Sequence, residues 1–372
     1  MESFYMSRSV IKYIAATLAL SSSLSLWSWG PSRPENSQSE MMPLSDSFPL
    51  NDQQGWYTKE TYLLWHPHED DVDWADRVTT NVGSDIDLSV DLKRPDFDWY
   101  SGVRLAVGRY LPNHDHWDLS LTGTYFYANS HSRASSNLGD GQTVQPLWEP
   151  TTLITTGGNG NWRLNFFTFD LGLGRNLWMS SKISTHPFID LRSVLVYESD
   201  SAKYSLNGVA TQQNHIKFKG HNDYWGIGPR IGSDFTFYLS KFWTILGSLS
   251  GSILMGGSKV HQHVNSNITQ PNPQVPTRTV TQNTTVSHHE YAIRGNLEGS
   301  IGMGWEKWVN RNRVRIAPSV VLEAAQWYDM NQWIALNAPS GLSSSGPTYF
   351  ETNRRHGDLT FWGFNFNIQV DF

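Results

Sequence analysis

The sequence predicts an all-β protein: a transmembrane, antiparallel, up-and-down β-barrel of about ten strands, with short periplasmic turns and long extracellular loops. Three observations predict it. Apolar residues recur with a period of two along most of the chain, short and long connections alternate between those segments, and aromatic residues crowd the segment ends. No window of comparable length places apolar residues at i, i+3, i+4 and i+7, so helices are not expected.

Composition narrows the class. The chain has 372 residues, of which 17% are charged and 13% aromatic, with 17 Trp. Soluble domains carry roughly 25% charged residues. A chain poor in charge and rich in Trp, yet with a negative mean hydropathy of -0.44, has no long apolar run to bury. The net charge of -6 gives no basic footprint, which argues against nucleic acid as a partner. The absence of cysteine removes disulfides, Cys-ligated zinc and thiol catalysis together.

The elements follow in chain order. Arg8 and Lys12 precede an apolar stretch, Tyr13–Leu26, too short to span a bilayer but suited to a signal-peptide core. Residues 1–28 are therefore expected to be a signal peptide, 29–54 a Pro/Ser-rich linker or tail, and 55–372 the barrel. "WYTKETYLLW" (56–65) opens it. "WYSGVRLAVGRYL" then sets Trp99, Val103, Leu105 and Val107 against Arg104, Ala106 and Gly108. "WDLSLTGTYFY" sets Trp117, Leu119, Leu121, Tyr125 and Tyr127 against Asp118, Ser120, Thr122 and Thr124. The same alternation runs through Phe167–Leu173, Ile189–Tyr197, Trp225–Phe237, Tyr291–Trp305 and Val314–Leu322. "FWTILGSLSGSILM" is a strand of small residues with ambiguous parity. The chain ends on "WGFNFNIQVDF", with Trp362, Phe364, Phe366, Ile368, Val370 and Phe372 on one face and Asn365, Asn367, Gln369 and Asp371 on the other.

Connections sharpen the topology. Short ones at 112–116, 176–184, 240–241 and 306–312 alternate with long polar ones at 66–96, 129–161, 199–221, 257–288 and 329–356. In an up-and-down barrel every second connection lies on the same side, so all long loops share one face. "SDIDLSVDL" (84–92) also alternates, and a further hairpin there would make about twelve strands.

Periodicity alone does not say which face is greasy for lipid and which is core, since a soluble sandwich alternates too. Aromatics at both ends of the strands and strand lengths of roughly 11 to 15 residues, against a mean of about 5–6, favour a membrane. If the apolar face meets lipid, the other lines a lumen. Its expected lining is Arg104, Arg163, Asp170, Arg175, Asp190, Arg192, Arg230, Asp234, Arg294, Glu298, Arg313, Arg315 and Glu323. Such mixed charge fits a water-bordering wall that tunes permeation. It equally fits charges that pair across a narrow barrel and plug it, because small barrels are filled by their own side chains.

Other chemistry is weaker. "WHPHEDDVDW" (65–74) gathers His66, His68, Glu69, Asp70, Asp71 and Asp73, a set that could ligate a divalent metal or be a solvated loop. His114/His116, His261/His263 and His288/His289 are expected as loop pairs, and "NIT" (267–269) and "NTT" (283–285) match a glycosylation sequon. A barrel protease would need paired Asp and an Asp-His pair at the rim; Asp85 and Asp87 supply only the first half. There is no G-x-S-x-G elbow. No enzyme, cofactor or metal is expected.

At "GVRLAVGRYLPNHDHWDLSLTGTYFY" (102–127) the sequence resembles the Legionella-type major outer membrane protein family, also found in environmental chlamydiae. The matching residues are Gly102, Val103, Arg104, Gly108, Tyr110, Asp115, Trp117, Asp118 and Leu119. "LEAAQWYDMNQW" (322–333) and "HGDLTFWGFNFNIQVDF" are similar to later family segments, and together the close matches cover about a sixth of the chain. The resemblance implies an abundant porin-like barrel in the outer membrane of a Gram-negative-type bacterium. It also implies that terminal Phe372 is the recognition signal for the barrel-assembly machinery. Members are often cysteine-bearing and cross-linked in the envelope, a network this chain cannot join.

The expected function is passive diffusion of small hydrophilic solutes and ions through a charge-lined lumen. The alternative is a non-conducting structural or adhesin-type barrel acting through its surface loops. Outer-membrane lipid, the assembly machinery and further copies of the chain, as in a trimer, are the expected partners.

Overall fold

The structure, a computed structural model, describes residues 55–82, 86–111, 116–148, 155–206, 215–270, 278–309, 314–337 and 351–372. The expected signal peptide and tail, His114, Asp85 and Arg313 lie outside them. The described strands are β1 (Trp56–Glu69), β2 (Ala75–Val82), β3 (Ile86–Lys93), β4 (Tyr100–Tyr110), β5 (Trp117–Ser135), β6 (Gln142–Pro146), β7 (Thr155–Arg175), β8 (Leu177–Ser180), β9 (Ile183–Leu206), β10 (His215–Tyr238), β11 (Trp243–Gln270), β12 (Arg278–Trp305), β13 (Lys307–Val309), β14 (Val314–Asn337) and β15 (Glu351–Asp371).

Ten of them close a ring. β1, β4, β5, β7, β9, β10, β11, β12, β14 and β15 pair antiparallel in chain order, and β15 returns to pair with β1. Closure is complete at the chain end: Trp56 N donates to Phe372 O at 2.8 Å and Phe372 N to Trp56 O at 2.9 Å. An open edge in hydrocarbon would leave a row of unsatisfied amides, each costing several kcal/mol. The hairpin expected at 84–92 exists as β2–β3, but it pairs with β6 in a separate three-stranded sheet. β1 already pairs with β4 from Trp56 to Trp65, so the barrel has ten strands and not twelve.

The long connections differ from expectation. β5 runs to Ser135, β9 to Leu206, β11 to Gln270 and β14 to Asn337, so much of each expected loop is strand. His261, His263, His288 and His289 accordingly sit on β11 and β12, not in a loop. The backbone ladder continues above the lipid level while the outward side chains change from apolar to polar.

Outside, the barrel is greasy over one band. Ile231, Met255, Ile293 and Ile301 are each more than 60% exposed, a placement that only lipid makes favourable. Trp56, Trp243, Phe237 and Phe242 rim the band on the short-turn side. Tyr127, Tyr197, Trp225, Tyr291, Tyr328 and Trp362 rim it on the other. Aromatic girdles at both interfaces are the mark of a membrane barrel.

Inside, the upper half is packed. Trp74 and Trp148, flanking the three-stranded sheet, enter the mouth and bury against Tyr204, Ile216, Phe218, Val260 and Trp333. Trp148 stacks on Phe218 with centroids 4.5 Å apart. Inner-face glycines make the room: a Cβ at Gly160 would lie 2.6 Å from the Trp74 ring, and one at Gly220 would meet Trp333.

Candidate functional site

The alternation of the strands aims every second side chain into the lumen, where three levels follow one another from the short-turn side upward. The first is a vestibule of about 730 Å³ lined by Tyr57, Lys59, Asp118, His186, Asp234 and Arg315 among others. Its polar groups are held in place. His186 Nε2 lies 2.7 Å from Asp118 Oδ1, Tyr57 Oη donates to Asp118 Oδ2 at 2.7 Å, and Ser248 Oγ donates to Asp234 Oδ1 at 2.6 Å. Arg315 pairs with Glu306 at 3.0 Å and with Asp371 of the final strand.

Above it lies a belt of ion pairs. Arg192 grips Asp170 with two hydrogen bonds, 2.7 and 2.8 Å, and also meets Glu298. Arg230 bridges Asp190 at 2.6 Å and Glu298 at 3.0 Å. Arg104 takes Glu323 in a fork, 2.9 Å on both arms. Fork geometry on a carboxylate gives two parallel charge-assisted bonds and fixes the register of both side chains. Asn365 donates to Glu323 and accepts from Trp65 Nε1 at 2.8 Å, while Asn367 accepts from Thr61 at 2.7 Å and donates to Ser319 at 3.1 Å. The polar face of the last strand is therefore spent on bonds to its two neighbours, β1 and β14.

The third level is apolar. Trp65, Phe126, Phe166, Trp327 and Phe361 come from five strands and meet across the barrel. Trp65 lies 5.4 Å from Phe126 and 5.3 Å from Phe361, and Phe166 lies 5.0 Å from Phe361 and 5.1 Å from Trp327, ring centre to ring centre. All five are at most 2% exposed. Arg192 lies under this layer with its guanidinium carbon 5.4 Å from the Trp327 ring. Above it, Trp162 Nε1 donates to Glu69 at 2.6 Å and to Glu198 at 3.0 Å, and Asn222 donates to Glu198 at 3.1 Å.

Of the expected lining, Arg104, Asp170, Asp190, Arg192, Arg230, Asp234, Glu298, Arg315 and Glu323 face the lumen around the vestibule and belt. Arg294 also faces inward but higher, against the Tyr224 ring at 4.4 Å and 3.9 Å from Asp329. Two assignments are corrected. Arg163 and Arg175 lie on the outer face of β7, because odd-numbered positions there share a face with Phe169, Leu171 and Leu173. Arg163 is exposed, and Arg175 lies over Trp117 at 5.8 Å. Arg163→Ala should accordingly change the unfolding free energy by no more than about 0.5 kcal/mol in urea titration of the detergent-held barrel.

The "WHPHEDDVDW" residues do not converge. His66 points outward between Trp99 and Trp362, Glu69 points inward, and Asp73 pairs with Arg94 at 2.8 Å. Among the described residues no group of three or more His, Asp or Glu is placed to hold a metal ion. On the extracellular sheet, a hydrogen bond from Lys93 holds the Asp91 carboxyl below its usual range, and Arg77 adds to it. The residues that sequence reasoning missed are the closing aromatics Trp74, Phe126, Phe166 and Phe361.

No curated protein sequence matches the chain. Among solved structures it is similar to the outer membrane protease OmpT of Escherichia coli, with 9% identity and a TM-score of 0.38 over 87% of this chain and 99% of that one. It is also similar to the toluene transporter TodX of Pseudomonas putida, with 8% identity and a TM-score of 0.22 over 86% and 90%. A FadL homologue of Pseudomonas aeruginosa gives 7% identity and a TM-score of 0.21 over 86% and 90%. Likeness this distant says nothing of activity. A family model does match: residues 49–372 fit that of the Legionella pneumophila major outer membrane protein precursor, and the chain belongs to this family of outer-membrane barrels.

Proposed function

We propose that the protein is a closed outer-membrane barrel that acts through its structure and the surface built on its long connections, the non-conducting one of the two functions weighed from sequence. The observation that carries this is the cross-barrel layer of Trp65, Phe126, Phe166, Trp327 and Phe361, sealed again above by Trp74, Trp148 and Trp333. Opening a path for a hydrated solute would mean moving several buried aromatic rings, each contributing several kcal/mol of burial. Below the layer the belt charges are paired with one another and so do not present a free ring to a passing ion.

A second reading, passive diffusion of small hydrophilic solutes, is favoured by one observation. The vestibule of about 730 Å³, lined by mixed charge, is half of a permeation path already formed. Planar-bilayer recording separates the two. Refolded protein whose insertion is verified by co-flotation with vesicles should leave the bilayer silent at 100 mV. Discrete, reproducible conductance steps would overturn the closed reading and establish the porin. The same preparation should show no peptide hydrolysis, since Asp87 lies on the β2–β3 hairpin, in a sheet separate from the ten-strand ring.

A further inference from the structure

The outer wall carries a feature that a diffusion pore and a sealed barrel would leave equally unexplained. Strand register places the residues of β5, β7, β9, β10, β11 and β12 in rungs that can be followed around the barrel. The outward rung Tyr125–Phe167–Leu195–Trp225–Gly257–Tyr291 is the aromatic girdle at the extracellular edge of the lipid band. The rung above it still holds Tyr127 and Tyr197 and contains Asp223.

The next three outward rungs contain no acid. The lowest of them brings together Arg163, His221 and His261. The middle one carries His131, Lys219 and His263, and the top one Arg133, Lys203 and Lys217. Nine of these eighteen positions are basic, and the other nine are Asn, Ser or Thr. Five of the nine are Lys or Arg and none of the eighteen is an acid, in a chain whose acids outnumber Lys and Arg by 34 to 28. The acids lie elsewhere: exposed Asp70, Asp71, Asp96 and Asp98 sit on the β1–β4 side of the barrel.

Arg163, Lys203, Lys217 and Lys219 are exposed and, among the described residues, make no ion pair. Lys203 and Lys217 are paired directly across the β9–β10 ladder. Like charges in that position repel unless an anion lies between them. The patch begins two rungs above the girdle, at the height where the headgroups of the outer leaflet lie. A surface of fixed cations interleaved with amide and hydroxyl groups matches an anion that carries phosphates and many hydroxyls and is anchored by acyl chains on the greasy band below.

We propose that the outer face of β5 to β12 above the girdle is a docking surface for phosphorylated glycolipid headgroups of the outer leaflet. Its acyl chains would lie along Ile227, Met255 and Ile293, and its phosphates between Lys203, Lys217, Lys219 and Arg163. The proposal does not depend on whether the lumen conducts.

The test is native mass spectrometry of the detergent-held, full-length barrel with bisphosphorylated lipid A as probe. Wild type should retain lipid A, and retention should fall at least about tenfold with dephosphorylated lipid A and on raising salt from low to high ionic strength. K203Q/K217Q/K219Q/R163Q should lose retention to the same extent, with the thermal unfolding of the barrel unchanged. Equal retention of the phosphorylated and dephosphorylated probes by wild type would overturn the proposal, and this comparison needs no variant to fold. Displacement of lipid A by millimolar inorganic phosphate would overturn it too, as it would reveal a site for the free anion. So would undiminished binding by the folded quadruple variant.

Discussion

Arg192→Ala is expected to lower the unfolding free energy of the refolded barrel by about 3–5 kcal/mol. The change strips both hydrogen bonds from Asp170 and one partner from Glu298, and the side chains of Arg192 and Asp170 are 4% and 7% exposed. A carboxylate left buried without its cation bears its full desolvation cost, which is why removing one partner costs more than the pair contributes net. Glu298 keeps Arg230 at 3.0 Å and Asn296 at 3.0 Å, whereas Asp170 keeps Arg230 at 4.0 Å with no hydrogen bond from it, so the loss centres on Asp170. The double change Arg192→Met/Asp170→Leu removes the pair together and fills the space with apolar volume. It should recover at least about half of the loss. Urea midpoints and slopes, measured in the same detergent for both variants, give the comparison. A single-variant cost under about 1 kcal/mol would mean that water reaches the belt, and with it the vestibule would extend into the aromatic layer.

How much of this was legible beforehand depended on height in the barrel. In the lipid band the alternation is strong because outward positions must be apolar and inward ones need not be. Trp362 to Ile368 and Val103 to Val107 gave their faces directly, as did the tight turns between neighbouring strands. Above the girdle that selection lapses. The outward residues become polar, and the strands of 24 to 28 residues look like loops. A finer signal is nevertheless present. On β10 the apolar parity switches, from outward Trp225, Ile227 and Ile231 to inward Ile216 and Phe218. β11 repeats it, with Ile253 and Met255 outward and Val260 and Val264 inward. A strand that is greasy outside low down and greasy inside higher up is one whose upper lumen is filled. That switch announces the closure by Trp74, Trp148 and Trp333. What no single strand encodes is the meeting of Trp65, Phe126, Phe166 and Phe361, whose positions in sequence span most of the chain and converge only when the ring closes. The expected faces of Arg163 and Arg175 failed for a simpler reason: their charge suggested a lumen, while their odd numbering on β7 already placed them with Phe169.

Phe372→Ser is expected to reduce the amount of folded protein in the outer membrane several-fold while leaving refolding in detergent unchanged. The structure separates closure of the ring of strands from the recognition role expected of this side chain. Closure at the chain end is made by backbone groups, Trp56 N to Phe372 O and Phe372 N to Trp56 O, and serine supplies both as well as phenylalanine does. The pairing above them, from Tyr57–Asp371 to Glu69–Leu359, involves no Phe372 side chain. Nor does the hold on the last inward residue, since Asp371 is gripped by Arg315. The aromatic ring is thus dispensable for the finished barrel by every contact described, and an in-cell defect would belong to delivery. Outer-membrane yield of wild type and variant in a Gram-negative host, set beside the heat-modifiable fraction after refolding, resolves the matter. Equal yields in cells would refute a recognition role for the terminal ring. A parallel fall in both measurements would show instead that the ring is needed to close β15 on β1, and that the girdle at the periplasmic edge contributes more to closure than its backbone bonds do.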